Sequence, residues 1–175
     1  GWDFKADDLK GDWVKAGYTR GVPMGGILKS GKGVPSFMIS ALKDPIGANL
    51  DRVQVVKGWT DKDGNAHEKV FDVAWSDMDG ARKLAGGKVP AVGDTVDTAK
   101  ATYQNSIGAP TLTTVWSDPE FDPAQRAFYY VRVLEIPTPT WVDFDMIRYH
   151  LTLDPKIPLK QQERGYTSAI WYNPA

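Results

Sequence analysis

Cysteine is absent from all 175 residues, which excludes disulfides, thiolate metal sites and thiol nucleophiles together. Histidine is nearly absent: only His67 and His150 occur, far apart, and neither belongs to an HxH, HxD or HExxH arrangement. An excess of one charge sign is missing too. Lys and Arg number 21 against 22 Asp and Glu, a formal net charge of −1, so the chain carries no long-range field that would gather phosphates or anionic lipid, and nucleic acid is not an expected partner. No apolar run approaches the roughly 18 residues of a membrane-spanning helix. Low-complexity tracts and internal repeats are lacking as well. The sequence opens at Gly1-Trp2-Asp3-Phe4 without an initiator Met or a charged-then-apolar leader. Two aromatic residues at once suggest the middle of an element, so the chain is read as one domain, 1–175, of a longer protein.

What is present is a globular composition: 42% hydrophobic, with seven Trp and seven Tyr. A chain of this size buries roughly 70% of its unfolded surface, enough for one sizeable core. Segments rich in β-branched and aromatic residues alternate with Pro, Gly and Asp turns, the pattern of an all-β, antiparallel β-sandwich or barrel. Strands are expected over Met24–Leu28, Pro35–Leu42, Asp51–Trp59, His67–Trp75, Asp97–Gln104, Thr111–Trp116, Ala127–Ile136 and Ser168–Tyr172. Asp61-Lys62-Asp63-Gly64-Asn65 resembles a calcium loop. Its twelfth position, however, is Asp72, inside a strand-like run where a closing glutamate and a helix would be required. Asp-Gly between two β-prone runs instead predicts a hairpin turn. In AFYYVRVLEI both faces are largely apolar, so a central strand is expected, with Arg132 and Glu135 needing partners or an edge. Two flanking helices are predicted, one within Ala6–Tyr18 weakened by Gly11 and Gly17, the other from Thr140 with Asp143 in a capping position. Met78–Val92 reads as a long surface loop.

The constellations that could carry chemistry fit turns and caps better. Asp118, Glu120 and Asp122 alternate in SDPEFDP, but the following prolines mark turns. Asp143 and Asp145 fall in the first turn of the second helix, where acids complement the dipole. GVPMGG lacks the strand before it and the helix after it that a phosphate loop needs, and no serine sits in a GxSxG elbow. No catalytic residue and no metal ligand is therefore assigned within the chain. Of the tryptophans, Trp59, Trp75, Trp116 and Trp171 belong to strands and their ends, as core or rim. Trp2, Trp13 and Trp141 lie outside the expected strands and are the candidates for an interdomain or ligand surface.

The phrases GVPMGG, ALKDPIGANLDRVQVVKGW, HEKVFDVAWS, IGAPTLTTVWSDPEFDPAQRAFYYVRVLEIPTPTW and QERGYTSAIWYNP together resemble the C-terminal part of a bacterial family catalogued as domain of unknown function 3604. The resemblance implies a larger protein whose N-terminal portion is similar to PHP-type metal-dependent phosphoesterases. It places the divalent metal and its ligands upstream of Gly1, and none can be carried onto this chain. It also implies an immunoglobulin-like sandwich that packs on that catalytic domain, and an export signal that favours a periplasmic or secreted location. The expected role is that of an accessory domain without a catalytic centre. The rival is a free-standing carbohydrate- or peptide-binding module using exposed tryptophans. A third possibility is a self-sufficient hydrolase, which would need several of Asp118, Asp122, Asp143, Asp145 and His150 to converge.

Overall fold

The computed structural model describes residues 1–174. Ten strands and two short helices follow a 3-10 turn, Ala6–Lys10: α1 (Trp13–Arg20), β1 (Ile27–Leu28), β2 (Ser36–Leu42), β3 (Leu50–Thr60), β4 (Ala66–Trp75), β5 (Thr111–Ser117), β6 (Ala127–Glu135), β7 (Thr138–Pro139), α2 (Trp141–Tyr149), β8 (Lys160–Gln161), β9 (Arg164–Tyr166) and β10 (Ile170–Tyr172). The protein is mostly β. A six-stranded sheet has the order β1-β10-β6-β3-β4, with β9 paired to β6 beyond the end of β10. All its pairings are antiparallel except β1 with β10. β2 and β5 form a separate antiparallel ribbon, and β7 and β8 a small third pair.

The ribbon packs on one face of the large sheet. Phe37, Ile39 and Leu112 from the ribbon meet Val53, Val55, Val73 and Tyr129 from the sheet, all buried. The two-residue period explains the arrangement: Phe37, Ile39 and Ala41 point inward, whereas Met38, Ser40 and Leu42 point away. The expected central strand is β6, held between β3 and the β9–β10 edge. Arg132 finds its partner across the sheet, donating from Nε to Gln54 Oε1 at 2.8 Å. On the same face, turned away from the ribbon, Phe128 lies over Gly58 of β3, where a Cβ would come within 2.3 Å of the ring.

Asp61–Asn65 is the hairpin turn between β3 and β4. The Asp61 carboxylate accepts from the amides of Asp63 and Asn65 at 2.9 and 2.8 Å and pairs with His67 Nε2 at 2.7 Å. The acid closes the turn by satisfying backbone donors.

Several expectations need correction. Asp97–Gln104 is not a strand; only an isolated bridge joins Asp97 to Thr102. The Asp97 side chain accepts from Ala99 N and its carbonyl from Lys100 N, bending the segment into a turn in which Ala101 takes φ 47°. Met24–Leu28 shortens to Ile27–Leu28 because Gly25, at φ 86°, turns the chain first. The Ala6–Tyr18 helix divides at Gly11, and Asp12 restarts it by accepting from Lys15 N. Thr140 precedes α2 but caps nothing with its hydroxyl, which donates to Pro158 O instead. Asp143 lies in the first turn of α2 as expected, but it is buried and its Oδ2 has no hydrogen-bond partner. The Met78–Val92 loop is tied inward: Arg82 and Val89 are buried, and Arg82 Nη2 meets Asp51 Oδ1 at 2.5 Å.

Candidate functional site

The ribbon covers only part of the large sheet. Beyond the outer edge of β2 a groove of about 930 Å³ runs the length of that strand, from Phe37 to Asp44. Its floor is β6, β9 and β10, with half-buried Val131, Val133 and Ile170 and buried Tyr129 lining it, and Glu135 and Glu163 stand at the far end. Burial and the neighbouring Glu163 carboxylate push Glu135 above the ordinary carboxylate range. At the near end the wall is Trp13 and Val22–Met24, and a second depression of about 200 Å³ continues the trough past Gly1 and Phe4.

The edge of β2 facing this groove is open. Asp118 N donates to Pro35 O, and Lys43 N to Pro110 O, so the odd-numbered residues of β2 are those bonded to β5. Alternation then turns the amides and carbonyls of the even-numbered residues outward. Ser36 is satisfied by Gly1; Met38, Ser40 and Leu42 face the groove. An apolar trough beside an unpaired strand edge is a surface built to receive extended polypeptide.

The three tryptophans go to three different places. Trp2 packs edge-on against Phe121 and Tyr172, 5.7 and 6.0 Å between centroids, and donates from Nε1 to Lys29 O. Trp13 lines the groove, on a helix whose Val14 and Tyr18 are also exposed. Trp141 begins α2 and is 73% exposed. None of the close aromatic pairs joins any two of them.

A second aromatic surface escaped the sequence reading. On the outer face of the large sheet Tyr166, Tyr130, Phe128 and Trp171 form a continuous strip, with successive centroids 6.2, 6.4 and 5.3 Å apart. Tyr166 and Trp171 are exposed. The alternation of AFYYVRVLEI contained Phe128 and Tyr130, but the flanking rings come from β9 and β10, too short for periodicity to show.

The acids do not converge. Asp118 is fully buried, where Lys57 Nζ contacts it at 2.6 Å and Tyr129 donates to it at 2.8 Å. Its Oδ1 also accepts from Glu120 N, the turn contact the sequence suggests. Burial and this hydrogen bond push the Tyr129 hydroxyl far above its ordinary value. Lysine, aspartate and tyrosine in contact would suit proton transfer, but Lys57 and Asp118 line neither the groove nor the two smaller depressions. Their role is to join the ribbon's end to the sheet. Asp122 stands beside Asp61 and Asp63 at a shallow depression, whereas Asp143 and Asp145 lie on α2 and His150 at its end, with φ 54°. Among the described residues no group of three His, Asp or Glu side chains is placed to hold a metal ion. No helix among them is long and apolar enough to cross a membrane.

No curated protein and no solved structure matches the chain. Residues 1–174 match the family described as protein of unknown function (DUF3604), and the chain belongs to that family.

Proposed function

We propose that the chain is the C-terminal accessory domain of a larger metal-dependent hydrolase, an immunoglobulin-like sandwich in which one sheet is reduced to a ribbon. It packs on a catalytic domain similar to PHP-type phosphoesterases. The divalent metal and its ligands belong to that upstream domain, and export would place the whole protein in the periplasm or outside the cell. One observation carries this reading: Trp13, Val14 and Tyr18 expose a continuous apolar face of α1 beside Met24 and the mouth of the groove. Adjacent exposed apolar side chains on one helix, beside an apolar groove, are the pattern of a contact face. The test compares W13A and Y18A in residues 1–175 and in the longer natural polypeptide. The expected result is a loss of about 0.5 kcal/mol or less for Y18A in the short chain and of about 2 kcal/mol in the long one, as for an interface anchor. Equal losses in both would overturn the reading.

The aromatic strip favours a second reading, a carbohydrate-binding module. The exposed rings of Trp171 and Tyr166 offer apolar surface that suits the apolar faces of sugar rings. Titration with a panel of β-linked oligosaccharides, followed by tryptophan fluorescence, should then saturate and should fail to do so in W171A. A flat titration in the unaltered protein rejects it.

A further inference from the structure

Gly1 and Ser36 exchange both backbone hydrogen bonds: Gly1 N donates to Ser36 O at 3.0 Å and Ser36 N to Gly1 O at 2.9 Å. Mutual exchange between two residues occurs only in antiparallel pairing. The first residue is therefore already the first rung of a strand laid against β2, on its open edge. Followed backward from Gly1, such a strand runs in one direction only, along β2 toward Leu42 and over the groove. We infer that the polypeptide immediately preceding Gly1 continues this pairing as an antiparallel strand, fills the groove beside β2, and turns the β2–β5 ribbon into a three-stranded sheet.

The inference rests on the reading of the chain as the C-terminal part of a longer protein, and it adds the register. With Gly1 opposite Ser36, the residue two places before Gly1 lies opposite Met38, four places before opposite Ser40, and six places before opposite Leu42. Those are the residues whose backbone groups face the groove. The alternation also fixes the chemistry of the incoming strand. Side chains directly opposite one another share a face, so the residues one, three and five places before Gly1 stand with Phe37, Ile39 and Ala41, over Tyr129, Val131 and Ile170. They should be predominantly apolar, and their neighbours polar. A small-molecule pocket fits less well, because the trough follows the full length of one strand and offers a row of unpaired amides and carbonyls. The amino group gives independent support. Burial holds the Gly1 ammonium at about 6 instead of 8.0, whereas a peptide amide in the same place would donate to Ser36 O with no charge to desolvate.

The test uses hydrogen–deuterium exchange on residues 1–175 and on the longer natural polypeptide. The amides of Met38, Ser40 and Leu42 should exchange at least about tenfold more slowly in the longer chain, as pairing converts an edge strand into an inner one. Unchanged rates overturn the proposal, and slowing that grows with protein concentration overturns it by assigning the edge to a second copy. Because the described family segment has no cysteine, register can be read directly. S40C combined with a cysteine four places before Gly1 should form an intramolecular disulfide, whereas S40C with a cysteine three places before should not, since that side chain faces the sheet. Loss of the disulfide with the Trp13 and Tyr18 effects intact would sink the strand and leave the accessory role standing. The converse result would sink the accessory contact alone.

Discussion

Gly58 allows a ring to lie flat on the sheet. Phe128 stands opposite it in the β3–β6 pairing, and the absent side chain is what lets the ring settle toward the backbone. G58A places a methyl group into that ring, and overpacking of this kind costs about 1–3 kcal/mol. Denaturant unfolding should show it, with partial recovery in the double variant G58A, F128L. Lys57 poses the opposite problem, a charge taken out of water at 2% side-chain-plus-backbone exposure. Its ammonium has Asp118 at 2.6 Å and the Glu120 carbonyl at 2.6 Å. K57M should lose about 3–5 kcal/mol because the Asp118 carboxylate stays buried without its counter-charge. Y129F removes one neutral donor and should lose about 1–3 kcal/mol. If K57M proves no worse than Y129F, the pair is not the tie between ribbon and sheet. Neither role could be read from the residues alone: VQVVKGW shows a lysine in a strand, and the Glu120 carbonyl it holds beside Asp118 lies 63 residues away in the sequence. SDPEFDP announced a turn, and the turn is there, but burial of its first acid is a tertiary fact.

Among the elements, those with long alternation or unambiguous turn chemistry were legible. β2 through β6 fall where β-branched and aromatic residues accumulate, and the hairpin at Asp61–Asn65 follows from Asp-Gly. The misses are of two physical kinds. β7, β8 and β9 are two or three residues long, below the length at which a period of two exists. At Asp97–Gln104 strand-forming residues are present, but the Asp97 carboxylate captures the Ala99 amide and bends the chain before any neighbour can pair. The same chemistry stabilises the β3–β4 turn. His67 and the backbone donors of Asn65 and Asp63 hold the Asp61 carboxyl well below the usual carboxylate range. A depressed acid contributes stability above its ordinary value near 3.8 and loses it as pH falls through the lower folded value. The Asp63 and Asn65 amides should thus stay protected across pH 3.8 and open only in stronger acid. In D61A they should exchange rapidly at every pH. Protection in D61A equal to that of the unaltered protein would show that Gly64, at φ 84°, makes the turn unaided.

At the scale of the molecule the candidate site was half legible. The sequence predicts a helix within Ala6–Tyr18 and marks Trp13 as a surface candidate, and Trp13 does stand at the groove. The groove itself depends on which strand edges meet and which do not, a property of pairings between segments 35 residues and more apart. That is invisible to periodicity. The amino terminus offers a handle on it that needs no upstream sequence. In residues 1–175 the Gly1 amine is disfavoured as a cation chiefly by burial, with Arg20 adding to the effect and Asp3 opposing it. Its folded value of about 6 lies below the 8.0 of a free amine. Between these two pH values the unfolded chain holds a proton that the folded chain does not, so stability must rise with pH there. Below about 6 the loss is complete, and above about 8 it vanishes, because the two states then carry the same charge. N-terminal acetylation replaces the amine with a neutral amide that keeps the Ser36 bond. The expected outcome is that unmodified residues 1–175 gain thermal stability from pH 6 to 8 relative to the acetylated form, and that the difference closes above that window. Measuring the difference between the two forms cancels the histidines and every other group they share. If the two melting curves run parallel across the window, the amine is not desolvated, and the first rung of the β2 pairing is looser than the structure draws it.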